Sequence, residues 1–136
     1  MDLDTYYNLF DDLWENGRHD QAIEVYELLD KPFWWAEDIG KYYEGKGLLD
    51  RAVAEYEYLI ESYLKMREGF LPLPGGPVEL FKVGRWYENT EPLKAEKYLR
   101  LYLSADPDKH GTVRRIEYKG EAEQSLERIQ RMRNFN

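Results

Sequence analysis

Residues 34–43 read WWAEDIGKYY and residues 49–60 read LDRAVAEYEYLI, and these two stretches decide the fold. In the first stretch, small or apolar residues fall at positions 36, 39, 40 and 43, which form one stripe of an α-helix. In the second, the apolar stripe runs through positions 49, 52, 56, 59 and 60. Between them, Gly45-Lys46-Gly47 interrupts the helical pattern. The sequence therefore predicts two helices joined by a short turn.

The same design occurs on both sides of this segment. Upstream, an apolar stripe over residues 6–13 is followed by the turn Asn16-Gly17 and by a second stripe over residues 22–29. Downstream, two further stripes cover residues 80–87 and 95–102. A single hairpin of this size cannot bury its apolar stripe alone, so three hairpins in register predict an all-α chain in which each pair stacks on the next.

The residues at matched positions resemble the tetratricopeptide repeat. Its signature places a large residue, Leu, Gly and an aromatic on the first helix, Ala and an aromatic on the second, and then Pro. The second hairpin carries this pattern at Ala36, Ile39, Gly40, Tyr43, Ala52 and Tyr56. The third carries it at Leu80, Val83, Gly84, Tyr87, Ala95, Leu99 and Pro107. The match covers residues 4–107, and it implies a right-handed α-solenoid of antiparallel hairpins with about seven helices.

The repeats depart from the family pattern in two ways. Phe10 stands where the repeat has a small Gly, so we expect the first pair of helices to open at a wider angle. The units are also irregularly spaced, with intervals of 30 and then 44 residues. The longer interval predicts a helix extended to about residue 68 and then a loop over residues 69–77, whose three Pro and three Gly forbid a helix.

These features together predict one domain over residues 1–136. Its parts are a hairpin over 3–30, a hairpin over 33–68, the Pro/Gly loop 69–77, a hairpin over 78–105 and a capping helix over 112–133. The capping helix is apolar on one side and mostly charged elsewhere, as the last unit of a stacked array needs. Gly120 is predicted to break or kink it.

The composition narrows the classes of function. The chain has 136 residues, of which 34% are charged, and it contains no Cys, which excludes disulfides, thiolate metal sites and cysteine nucleophiles. There is no apolar run long enough to cross a bilayer, and the first four residues lack the basic and then apolar start of a secretion signal. We therefore expect a soluble, cytoplasmic protein that does not act at a membrane.

The net charge of −8 is unevenly divided along the chain. Residues 1–62 carry 16 acids and 5 bases, whereas residues 63–136 carry 11 acids and 14 bases. An acidic first half disfavours nucleic-acid binding, because phosphate contacts need Lys and Arg clustered on one face. It favours a partner with a basic segment, or head-to-tail self-association.

The resemblance also implies a concave groove that is lined by residues of the first helices and receives an extended or helical peptide. Its groove positions hold Tyr7, Asn8, Asp11, Trp34, Glu37, Asp38, Lys41, Phe81, Lys82 and Arg85, with Asp4, Glu15, Glu44, Glu88 and Asn89 beside them. Such a groove grades from acidic to basic. A segment with Lys or Arg near one end and acidic or apolar groups near the other would complement it. One subclass of the family binds the C-terminal carboxylate of chaperones, but Asp11 and Asp38 would repel that ligand.

The triplet Phe33-Trp34-Trp35 is the most unusual aromatic feature. A helix cannot turn three consecutive rings inward, so at least one is predicted to lie near the surface. The exposed ring would either pack on the preceding hairpin or anchor a partner, since aromatic residues are enriched at interfaces.

Chemistry-bearing motifs are few. Asp106, Asp108 and Glu117 have the spacing of a calcium loop, but His110 replaces an oxygen ligand and two arginines fall inside the loop, so we expect no metal site. Neighbouring acids such as Asp11-Asp12 point in different directions on a helix and do not form an acid–base pair. No phosphate-binding loop or serine nucleophile setting is present in the sequence. We predict no enzyme activity and no cofactor.

The sequence thus predicts a protein–protein interaction module: an adaptor, assembly factor or small chaperone that binds a peptide or partner protein. A homodimer that self-associates without a peptide ligand is the main alternative. A helical enzyme built on groove carboxylates and Arg85, or a calcium-binding protein, is a weaker one.

Overall fold

A computed structural model describes residues 2–67, 78–104 and 117–134 of the chain. Within these ranges all regular structure is helical and there is no strand. The elements are α1 (Leu3–Glu15), α2 (His19–Leu28), a 3-10 turn (Phe33–Trp35), α3 (Ala36–Gly45), α4 (Leu49–Arg67), α5 (Val78–Tyr87), α6 (Pro92–Ser104) and α7 (Lys119–Asn134). The prediction of an all-α chain with about seven helices is confirmed for the described part.

The turns that close the first two hairpins share one geometry. Gly17 and Gly47 both have φ of +77°, a left-handed conformation that only Gly adopts without strain. After each glycine, a backbone N–H reaches back to the preceding helix: Arg18 donates to the Leu13 carbonyl and Leu48 to the Tyr43 carbonyl, each at 2.9 Å. This pattern ends a helix and reverses the chain. The first two predicted hairpins therefore share the geometry of their turns as well as a sequence pattern.

The two helices of each hairpin pack against each other. α1 packs on α2, α3 on α4, and α5 on α6, while α4 contacts α5 and α7 contacts both α6 and α5. The buried apolar side chains form two clusters. The smaller one joins α1, α2, the 3-10 turn and the start of α3, and the larger one extends from Ala36 through α4, α5 and α6 to Ile129 of α7.

Two glycines allow close packing within the second and third hairpins. A Cβ atom on Gly40 would lie 2.5 Å from the Tyr56 ring, and one on Gly84 would lie 2.7 Å from Leu99. The matched position in the first hairpin holds Phe10, which is buried and stacks on Trp35 with 3.8 Å between ring centroids. The wider opening predicted for the first pair stays a prediction.

Carboxylates on α4 join it to helices on both sides. The Tyr26 hydroxyl of α2 donates to Glu55 at 2.7 Å, and the Tyr87 hydroxyl of α5 donates to Glu57 at 2.7 Å. The Tyr98 hydroxyl of α6 lies 2.7 Å from a Glu61 oxygen and 2.8 Å from a Glu57 oxygen. Burial, together with these carboxylates, raises the pKa of Tyr26 and of Tyr98, so both remain neutral donors.

The predicted capping helix is described only in part. We expected it over 112–133; residues 112–116 lie outside the described part, Glu117 and Tyr118 form a turn, and α7 starts at Lys119. Gly120 lies in the first turn of α7 and does not break it. The Tyr118 N–H donates to the Tyr102 hydroxyl at 2.9 Å, which fixes the start of the helix against α6. The predicted Pro/Gly loop 69–77 also lies outside the described residues.

Candidate partner-binding surface

An aromatic group connects the first two hairpins. The Tyr7 ring of α1 meets the Trp34 and Trp35 rings edge-on, with centroids 5.9 and 5.7 Å away. Trp34 is 52% exposed, whereas Trp35 is only 8% exposed and stacks on Phe10. The prediction that the triplet 33–35 cannot be wholly buried is confirmed, and Trp34 is its outward ring. Tyr7 and Trp34 are thus predicted site residues that contact each other between the first two hairpins.

The acidic part of the predicted site lies on α1 and α3. Asn8 and Asp11 are exposed, and Asp11 forms no ion pair with any described residue. Glu37 and Lys41 are one helical turn apart and pair at 2.9 Å, a hydrogen bond that raises the pKa of Lys41. Although Asp38 is exposed, partial desolvation and then the charge of Glu37 raise the pKa of its carboxyl group. A basic group arriving here would favour the charged form of Asp38 and so oppose the effect of Glu37.

A buried carboxyl that the sequence analysis missed lies near this acidic part. Glu79 of α5 is 1% exposed, and its Oε2 has no hydrogen-bond partner among the described residues. Burial raises its pKa, and the charges of Glu37, Lys41 and Lys82 also act on it. Its position at the start of an apolar stripe gave no signal of burial, because glutamate is seldom buried without a partner.

The basic part of the predicted site lies on α5. The Lys82 ammonium pairs with Glu44 of α3 at 2.9 Å and also lies 5.4 Å from the centre of the Tyr56 ring. Tyr56 donates its hydroxyl to the same Glu44 oxygen at 2.7 Å. Although burial opposes ionisation, the hydrogen bonds from Tyr56 and Lys82 hold the pKa of Glu44 below its ordinary value. Lys82 therefore links the first helices of the second and third hairpins.

Arg85 and Phe81 complete the basic part. The guanidinium lies 5.7 Å from the centre of the Phe81 ring and forms no ion pair with any described residue. Phe81 itself stacks on Tyr118, with parallel rings 4.8 Å apart, so one of its faces is taken by the segment that precedes α7.

A cleft of about 380 Å³ opens between α4 and α5. Its lining includes Leu49, Val53, Tyr56, Phe81, Arg85 and Trp86. Leu49 falls on a packing stripe of the sequence and Trp86 has no predicted role, but the two side chains are 47% and 42% exposed at the cleft. Periodicity assigns a residue to a helix face and cannot show whether the neighbouring helix covers that face.

Of the three acidic residues of the calcium-loop motif, the structure describes only Glu117. Asp106, Asp108 and His110 lie outside the described residues, and Glu117 is exposed in the turn before α7. Among residues 2–67, 78–104 and 117–134, no three acidic or histidine side chains come together as a metal site would require. None of the helices in this part of the chain has the length and apolar character needed to cross a bilayer.

Comparison of the chain with protein-family models, with curated proteins and with solved structures gives no match.

Proposed function

We propose that this chain is a protein–protein interaction module whose hairpins stack as a tetratricopeptide-like, right-handed solenoid. Its first helices, α1, α3 and α5, would line a concave face that binds a peptide or a segment of a partner protein. One observation carries the proposal: residues at groove positions of successive hairpins touch each other, Tyr7 with Trp34 and Glu44 with Lys82. Contacts of this kind are expected if the three first helices share one surface.

The chemistry of these residues suits a polypeptide ligand. Trp34 is exposed and is held on one side by Tyr7, which lowers the entropy lost when a partner packs on the other side. Asp11 on α1 and Asp38 on α3 are exposed acids, and Arg85 on α5 is an exposed base. The partner segment would therefore carry Lys or Arg at the α1 end, where it would be attracted by the carboxylates.

Site-specific photo-crosslinking tests which surface the partner occupies. The residue p-benzoylphenylalanine would replace Asn8 or Asp38 on first helices, or Glu24 and Gln124 on α2 and α7 as matched controls, all four of them exposed. Each variant would be irradiated in extract of the native cell, and crosslinked proteins identified by mass spectrometry. We expect one partner to crosslink from positions 8 and 38 and not from positions 24 and 124.

Reversing the charge of two exposed acids tests the same surface in a second way. Asp11→Lys and Asp38→Lys should weaken capture of that partner, because both remove attraction for its basic segment. Crosslinks from the control positions alone, or capture unaffected by both reversals, would contradict the proposed surface.

Self-association is the second candidate function. Leu28 is 77% exposed at the end of α2, Leu3 is exposed on α1, and the two halves of the chain differ in charge. An exposed apolar surface with complementary charges can join two copies. Light scattering at two salt concentrations tests it: a dimer mass that falls toward the monomer mass in high salt supports charge-driven self-association, and a monomer mass at both excludes it.

A further inference from the structure

The cleft between α4 and α5 is apolar over much of its lining but open to solvent. Leu49, Val53 and Phe81 supply aliphatic and aromatic surface, and Trp86 stands exposed at its edge. A volume of about 380 Å³ is near the lower end of the range for ligand sites, about 300–1,000 Å³. It accommodates one large side chain and is too small for a helix.

The charges around the cleft leave one cation without a counter-charge among the described residues. Glu44 is neutralised by Lys82 and also accepts the Tyr56 hydroxyl. Glu88, the other carboxylate close to Arg85, is held by the Arg128 guanidinium through hydrogen bonds of 2.9 and 3.2 Å. Arg85 is therefore the charge that a ligand would complement.

We propose that the cleft binds one large apolar side chain of a partner segment, and that an adjacent Asp or Glu side chain of that segment pairs with Arg85. The inference rests on the proposed function, because it specifies the chemistry of the partner at the α5 end of the same surface. The partner segment would then be basic where it meets α1 and acidic with an apolar anchor where it meets α5.

The geometry favours an internal acidic residue over a chain terminus. Binding a terminal carboxylate needs several donors around it, whereas Lys82 is already occupied by Glu44 and Arg85 is the single donor left free by its described neighbours. A side-chain carboxylate at an exposed guanidinium stays partly hydrated and needs only one such partner.

A capped tetrapeptide, acetyl-Gly-Phe-Asp-Gly-amide, tests the proposal directly. It would be titrated into the isotope-labelled chain and followed through the four indole N–H resonances, with acetyl-Gly-Phe-Lys-Gly-amide as the matched peptide. We expect a dissociation constant in the millimolar range, a shift of the Trp86 resonance larger than that of Trp34, and about fivefold tighter binding of the Asp peptide.

Two variants localise the effect. Arg85→Gln should bring the Asp peptide to the affinity of the Lys peptide, because only the charge is removed. Leu49→Trp should fill the cleft and abolish the Trp86 shift, whereas Leu93→Trp, at an exposed leucine of α6 that does not line the cleft, should leave it unchanged. Equal binding of both peptides, or a shift that persists in Leu49→Trp, would overturn the proposal.

The outcomes separate this inference from the proposed function. If crosslinks form from positions 8 and 38 but the peptide does not move Trp86, the cleft assignment is wrong and the interaction surface stands. If the peptide binds as expected but no partner crosslinks from those positions, the cleft stands and the proposed surface is wrong. A Trp86 resonance that shifts with protein concentration alone would assign the cleft to a second copy of the chain and overturn the proposal.

Discussion

The first hairpin and the two that follow it differ in how the first helix of the pair packs at one matched position. In the second and third hairpins, Gly40 and Gly84 let a large side chain of the paired helix lie directly against the backbone. In the first hairpin a phenylalanine occupies the matched position, and its ring stacks on Trp14 and on Trp35. The first hairpin is thus held by aromatic stacking that includes a ring from the following unit.

Both regions contain hydrogen bonds from tyrosine hydroxyls to carboxylates, but the other contacts that join their helices differ. Glu57 and Glu61 of α4 accept tyrosine hydroxyls from α5 and α6, and Glu88 binds Arg128 of α7. Across the first junction, Tyr26 donates to Glu55 and Tyr42 to Asp20, and the Phe10 ring stacks on Trp35. A repeat can therefore keep its helical pattern while the interactions that join its units change.

Removing the Phe10 ring should have the largest effect. Phe10→Ala would leave a cavity between α1 and Trp35, and we expect the free energy of unfolding to fall by about 3–5 kcal/mol. Urea unfolding followed by tryptophan fluorescence measures it. Phe10→Leu, which retains most of the apolar volume, should lose clearly less. A loss under about 1 kcal/mol in Phe10→Ala would show that the ring does not hold the first hairpin.

Adding one methyl group at Gly40 or Gly84 should destabilise the second or the third hairpin. Gly40→Ala places Cβ against the buried Tyr56 ring, and Gly84→Ala places it against buried Leu99, so either should cost about 1–3 kcal/mol. Gly45→Ala is the matched control, because a Cβ there meets nothing within 4 Å. It should leave thermal stability unchanged or slightly raised. Equal effects of all three changes would refute the close-approach argument.

Deleting a single hydroxyl probes the polar contacts of α4. Tyr98→Phe removes the donor that lies between Glu57 and Glu61, and we expect a loss of about 1–2 kcal/mol in chemical denaturation. Tyr6→Phe in the first hairpin should change stability by less than about 0.5 kcal/mol, because that hydroxyl has no partner among the described residues. A larger loss for Tyr6→Phe than for Tyr98→Phe would reverse the comparison.

As the pH falls, the second and third hairpins should lose stability before the first hairpin does. Burial opposes ionisation of Glu57, Glu61 and Glu88, yet their hydrogen-bonded partners hold each pKa below the ordinary 4.5. The unfolded chain takes up these protons first, so the stabilisation is present above about pH 4.5 and is lost as pH falls through the folded pKa values. Amide hydrogen exchange at pH 7 and near pH 4 should show protection falling most in α4 to α6. Uniform loss along the chain would contradict this.

Glu79 should show the opposite dependence of stability on pH, and its effect should be the smallest of those predicted here. Burial raises its pKa, so this group contributes stability that grows as pH falls from neutrality toward 4.5. Glu79→Gln removes the ionisable group, and we expect it to raise the midpoint of thermal unfolding at pH 7 more than at pH 5. If it lowered the midpoint at both values, the carboxylate would have a stabilising role.

Much of the helical framework was predictable from sequence, whereas much of the site was not. The 3.6-residue periodicity and the glycine turns placed the helices within a few residues, because both are local properties of the chain. The turn at residues 117 and 118, inside the predicted capping helix, was not predicted, because the hydrogen bond between Tyr118 and Tyr102 joins residues 16 positions apart. Sequence spacing also showed that one ring of Phe33-Trp34-Trp35 must face outward, but not which one.

The sequence by itself determined that the chain is helical, where its helices turn, and how acidic and basic residues are divided along it. The tertiary structure alone decided that Trp34 is the exposed ring, that Lys82 is neutralised by Glu44, and that Arg85 lacks a counter-charge among its described neighbours. The physical reason is range. Helix formation depends on residues three and four positions apart, but the state of a surface charge depends on side chains that arrive from other hairpins, about 40 residues away in the case of Lys82 and Glu44.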